Sequence, residues 1–142
     1  MGLILQIFLA LNIVYFLAMA IAHFFSLKYP ILFIYYDTLF YSYQDKIIAF
    51  CAVNYAVLFL AAFNNRVVVP YAITALGVTV LGLSAINLSP DLALVLPSIV
   101  GPEGEGKQGS TIMYWAQTGL IALLTVVLTV LYSFDQKTSK LE

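Results

Sequence analysis

Four long stretches without Asp, Glu, Lys or Arg dominate this sequence of 142 residues. They cover residues 2–27, 47–63, 67–88 and 112–134. An α-helix rises about 1.5 Å per residue, so about 20 residues cross a hydrocarbon core of about 30 Å. The first, third and fourth stretches therefore have the length of a membrane-spanning helix. The second is short, but Tyr41 and Tyr43 can extend it into the membrane interface.

The composition excludes a soluble protein. Hydrophobic residues make up 63% of the chain and charged residues 9%, whereas soluble domains have about 45–50% and about 25%. Inside lipid every backbone amide and carbonyl needs a partner within the protein, and helices provide this for stretches of this length. We therefore predict an all-α membrane protein, with residues 1–142 forming one domain of four transmembrane helices in an up-down bundle. Residues 141–142 resemble a remnant of cloning and carry no weight.

The orientation of the bundle depends on the charges that flank the helices. Four spans place both termini on the same side as the turn at residues 64–66. The positive charges are equal, with Arg66, Lys137 and Lys140 on that side and Lys28, Lys46 and Lys107 on the other. The two loops of the other side, residues 28–46 and 89–110, are longer and hold five acidic residues. We therefore predict cytoplasmic termini, in a cell membrane, with both long loops outside.

The loop between the first two helices is rich in tyrosine. Tyrosine concentrates at membrane interfaces because its ring is apolar while its hydroxyl group requires water. We expect this segment to lie along the headgroups as an interfacial anchor, with a lipid, quinone or partner-helix surface as the alternative. The candidate surface consists of Tyr35, Tyr36, Tyr41 and Tyr43. Residues 101–110 contain four glycines and should form the most mobile connection.

A few polar side chains interrupt the apolar stretches. Asn12 and His23 are separated by close to three helical turns, which places them on one helix face that should point at protein. Asn54 and Gln117 lie well inside the second and fourth stretches. Asparagine and glutamine at this depth predict hydrogen bonds between helices, and a substrate or water path is the alternative. Threonine can instead bond to a carbonyl of its own helix, and Cys51 is expected to be a small buried packing residue.

The residues for most chemistry are missing from the sequence. No acidic residue lies in any of the four stretches, which disfavours an ion-coupled transporter. The chain has one histidine and one cysteine, so bis-histidine haem, a disulfide within the chain and a thiolate metal cage are excluded. His23 is expected to be an interfacial, hydrogen-bonded histidine within reach of headgroup water. We therefore expect no enzyme activity, no cofactor and no metal.

The sequence leaves three functions open, of which an enzyme or redox protein that uses His23 and the interfacial tyrosines ranks last. The favoured one is a non-catalytic scaffold or accessory subunit that binds another membrane component through its helices and the aromatic loop. The alternative is an oligomeric channel or small-solute transporter, with a polar path lined by Asn12, Asn54 and Gln117. The expected partners are membrane lipids and either a membrane protein or further copies of the chain. No basic cluster is present that would bind nucleic acid.

Overall fold

The described part of the computed structural model contains four long helices. The structure describes residues 1–27, 29, 32, 41–90 and 112–138, with the backbone alone at 41, 42 and 113. The helices are α1 (Leu3–Phe24), α2 (Tyr41–Asn64), α3 (Val69–Asn87) and α4 (Ile112–Thr138), and a 3-10 turn (Arg66–Val68) precedes α3. These residues contain no strand, in agreement with the predicted all-α class.

Each of the four helices is long and apolar enough to cross a membrane. The candidate spans are Leu3–Phe24, Tyr43–Asn64, Arg66–Asn87 and Tyr114–Thr138. The second span is therefore not short, because α2 begins ahead of the uncharged stretch and includes two charged positions, Asp45 and Lys46. At most 33% of any span is buried inside the chain. Most of the helical surface is thus apolar and faces outward.

Local sequence explains where the helices end. After α1, Ser26 adopts a positive φ of 54°. The Leu27 amide donates to the Ala22 carbonyl and the Ser26 amide to the His23 carbonyl, which is the hydrogen-bond pattern of a Schellman motif. Between α2 and α3, the Asn65 side chain accepts a hydrogen bond from the Val67 amide, and Pro70 stands in the first turn of α3, where its missing N–H costs nothing.

The core is centred on the contact between α1 and α2, the most extensive helix pair. The Phe16 ring of α1 stacks between Tyr55 and Phe59 of α2, with centroid distances of 4.9 and 5.5 Å. Ala52 and Ala56 are each 3% exposed in the same core. Small side chains at a spacing of one helical turn let the two helix backbones approach closely.

The second large contact joins α3 to α4. α3 contributes Ala72 and Leu76 to the core and α4 contributes Ile121 and Leu128. The glycines of these helices do not create the contact. A β-carbon added at Gly77, Gly82 or Gly119 would meet nothing within 4 Å.

An acidic side chain ties together three parts of the chain at one end of the helices. The Gly2 amide, just before α1, donates to Asp135 Oδ1 near the end of α4. Arg66 Nε, in the turn before α3, lies 3.0 Å from Asp135 Oδ2. The start of α1, the turn between α2 and α3, and the end of α4 therefore meet.

Candidate functional site

A buried histidine–aspartate pair joins α1 to α2. His23 lies in the last turn of α1 and Asp45 in the second turn of α2. His23 Nδ1 is 3.4 Å from Asp45 Oδ1, and the two side chains are 0% and 5% exposed. The other carboxylate oxygen, Asp45 Oδ2, is buried and has no hydrogen-bond partner among the residues that the structure describes.

This pair corrects two expectations from the sequence. The sequence predicts Asp45 in an outer loop, but it lies inside α2 and is buried. The expectation that headgroup water reaches His23 is also wrong, because the imidazole is fully buried. The helical spacing of α2 could have predicted the burial of Asp45. The buried positions of α2 recur at helical spacing from its second turn onward, at Asp45, Ala49, Ala52, Ala56 and Phe59.

Asn12 and Gln117 are both buried, but the bond that fixes Asn12 is local. Asn12 is 2% exposed and Gln117 8% exposed. Asn12 Nδ2 donates to the Phe8 carbonyl of its own helix at 2.8 Å. Asn12 Oδ1 is buried and finds no partner within the described part of the chain. The nitrogen of the Asn12 side chain is thus bonded, while its oxygen has no described partner.

Tyr55 and Asn87 make hydrogen bonds between helices. The Tyr55 hydroxyl of α2 donates to the Ala75 carbonyl of α3 at 3.1 Å and also contacts the Thr79 hydroxyl. Asn87 Nδ2 of α3 donates to Thr118 Oγ1 of α4 at 3.0 Å. These bonds fasten α2 to α3 and α3 to α4.

The threonines behave as their chemistry predicts. Each described threonine donates to the carbonyl one turn earlier in its own helix, at 2.7–3.2 Å. The six are Thr74, Thr79, Thr118, Thr125, Thr129 and Thr138. A hydroxyl satisfied in this way can sit in an apolar helix at little cost.

Asn54 and Cys51 lie on the outward surface of α2. Both are exposed, so the expectation of a buried Cys51 is wrong. At about 100° per residue, Asn54 lies about 160° around the helix from both Ala52 and Ala56, which face α1. The structure gives Asn54 no hydrogen bond to any described residue, and its amide cannot reach the interior of the chain from this position.

The predicted aromatic surface is only partly described. Tyr35 and Tyr36 lie outside the described residues, as does the side chain of Tyr41. Tyr43, in the first turn of α2, is 77% exposed. The glycine-rich stretch at residues 101–110 also lies outside the described residues.

The polar groups are arranged to hold helices together. Within residues 1–27, 41–90 and 112–138, no three His, Cys, Asp or Glu side chains come together as a metal site would need. The two acidic residues that are described, Asp45 and Asp135, each contact a basic group of another segment. Comparison with protein families, curated proteins and solved structures finds no match for this chain.

Proposed function

We propose that this protein is a non-catalytic scaffold or accessory subunit of a membrane, which binds another membrane component through its outward helix faces. One observation carries the proposal. At least two thirds of each candidate span is left unburied by the chain's own folding. The buried polar groups link helices to each other or to their own backbone, as in the Tyr55–Ala75 and Asn87–Thr118 bonds.

The contacts at the helix ends support an up-down bundle with both termini on one side. His23 and Asp45 bring the end of α1 to the start of α2. Asp135 brings the end of α4 to Gly2 and Arg66. Asn87, at the end of α3, bonds to Thr118 near the start of α4. This arrangement alternates the direction of successive helices.

The channel alternative is less well supported by the positions of its three residues. Asn12 and Gln117 are buried in the interior, while Asn54 is exposed on the far side of α2. A path lined by all three would require a rearrangement of α2. The scaffold proposal requires no such change.

The mass of the intact assembly, extracted in mild detergent, tests the scaffold proposal. We expect a mass that no whole number of 15.7 kDa chains explains, because a foreign membrane component remains bound. A mass that copies of this chain fully explain would contradict the proposal. Solute flux through liposomes containing the purified protein alone would then support the channel.

Thiol labelling tests the orientation, since we propose cytoplasmic termini. Lys137 is exposed near the end of α4. In a Cys51→Ala background, Lys137→Cys should react with a membrane-impermeant maleimide only after the cells are opened. A cysteine at Tyr43, which is exposed at the start of α2, provides the matched control and should react in intact cells. The reverse pattern would invert the proposed topology.

A further inference from the structure

The middle of α2 carries a polar side chain on its outward surface. Asn54 lies midway between Tyr43 and Asn64, the two ends of the candidate span. At about 1.5 Å per residue it is about 15 Å from either end, at the centre of a membrane. Lipid offers no hydrogen bond to an amide at this depth, and an unsatisfied amide is costly there.

No described residue of the chain satisfies this amide. Asn12 and Asn64 donate to carbonyls one turn earlier, Phe8 and Leu60, at 2.8 Å. The structure shows no such bond for Asn54. Ala52 and Ala56, on the opposite face of α2, are buried in the core, so Asn54 points away from the polar groups of the interior.

We propose that Asn54 lies at the centre of a symmetric contact between α2 of this chain and α2 of a second copy. Copies inserted in the same orientation are related by a twofold axis along the membrane normal, so each residue near the axis meets its own counterpart at the same depth. A carboxamide is complementary to itself, since Nδ2–H of one copy donates to Oδ1 of the other. A foreign helix would need its own polar group at this depth, whereas a second copy always provides one.

The residues around Asn54 fit a helix contact. Outward positions recur at helical spacing along this face, namely Ile47, Phe50, Cys51, Asn54, Val57 and Ala61. Cys51 and Ala61 are small and allow close approach, while the larger residues can pack beside them. This inference rests on the proposed function in one respect, that the outward helix faces bind protein.

Oxidation of the native cysteine tests the contact directly. The chain has a single cysteine, one helical turn before Asn54 and exposed. A disulfide requires a Cα–Cα distance of about 4.4–6.8 Å, which facing helices reach only near the axis of contact. We expect copper phenanthroline to convert the protein in native membranes to a covalent dimer. In a Cys51→Ala background, Phe50→Cys provides a second probe, because positions 50 and 51 lie on opposite sides of Asn54 around the helix axis.

Two outward positions at a similar depth serve as matched controls in the same background. Leu11→Cys on α1 and Val78→Cys on α3 replace side chains that are 60% and 64% exposed. They should not cross-link. Dimer from neither Cys51 nor Phe50→Cys, or equal yields from all positions, would overturn the proposal.

Substitution of the amide tests its role separately. We expect Asn54→Leu to weaken dimerisation in detergent at least about tenfold, because the substitution removes both reciprocal amide bonds at once. The thermal stability of the monomer should not fall, since Asn54 makes no bond within the described chain. Unchanged dimerisation would overturn the proposal. If a foreign component copurifies but no α2 cross-link forms, this inference is wrong and the scaffold role stands. If a cross-linked dimer forms without a foreign component, this inference stands and the scaffold role is wrong.

Discussion

Phe59→Ala should lower the free energy of unfolding by about 2–3 kcal/mol. Phe59 is fully buried in the core, and its ring stacks on Phe16 at 5.5 Å. Truncation of a buried phenylalanine costs about 3–5 kcal/mol in water-soluble proteins, where a cavity and a lost transfer term add. Lipid solvates a released phenylalanine well, so in a membrane the lost packing and the cavity dominate and the effect is smaller.

The adjacent residue provides the matched control. Leu60 is 49% exposed on the outward surface of α2, and Leu60→Ala should change the free energy of unfolding by less than about 0.5 kcal/mol. Titration with sodium dodecyl sulfate, followed by circular dichroism, measures both variants. Equal effects at the two positions would mean that α2 does not present the Phe59 face to α1.

The existence and number of the helices could be predicted from the sequence because they depend on length and polarity alone. An uncharged stretch of about 20 residues has few other ways to satisfy its backbone in lipid. The same reasoning predicted the threonine bonds, since they lie within one helix and need no knowledge of a neighbour. Both predictions use local information.

The buried face of α2 could not be predicted from the sequence, because the charge pattern does not say which residues contact another helix. The charge pattern ends the second apolar stretch before Asp45 and so predicts a loop there, although the partner His23 on α1 allows Asp45 to be buried in α2. Cys51 was expected inside because of its residue type. The register of Ala49, Ala52 and Ala56 instead places it outside.

The hydrogen bonds of the asparagines show the same division. A carboxamide can bond to its own helix, as Asn12 and Asn64 do, or bridge to another helix, as Asn87 does. The residue type permits both outcomes. Whether an asparagine bonds to its own helix or to another depends on how the helix is rotated about its axis and on which groups of the neighbouring helix lie at the same level.

Asp45→Ala should lower the free energy of unfolding by about 3 kcal/mol, because it breaks a buried polar pair that joins α1 to α2. The His23 side chain is 0% exposed and the Asp45 side chain 5% exposed, so water has little access to the pair. Asp45→Asn retains a polar atom beside the imidazole and should cost less than Asp45→Ala. Lys46→Ala, at the exposed neighbouring position, is the control and should cost less than about 0.5 kcal/mol.

A double-mutant cycle separates this pair from a general weakening of the start of α2. If His23 and Asp45 stabilise α1 against α2 through each other, the double variant His23→Ala, Asp45→Ala should lose at least about 1 kcal/mol less than the sum of the single variants. Strict additivity would mean that the 3.4 Å approach contributes no stability. Each residue would then act only through its separate packing. Coupling would instead show that a polar contact between positions 23 and 45 links the end of α1 to the start of α2, as Asp135 links Gly2 to Arg66.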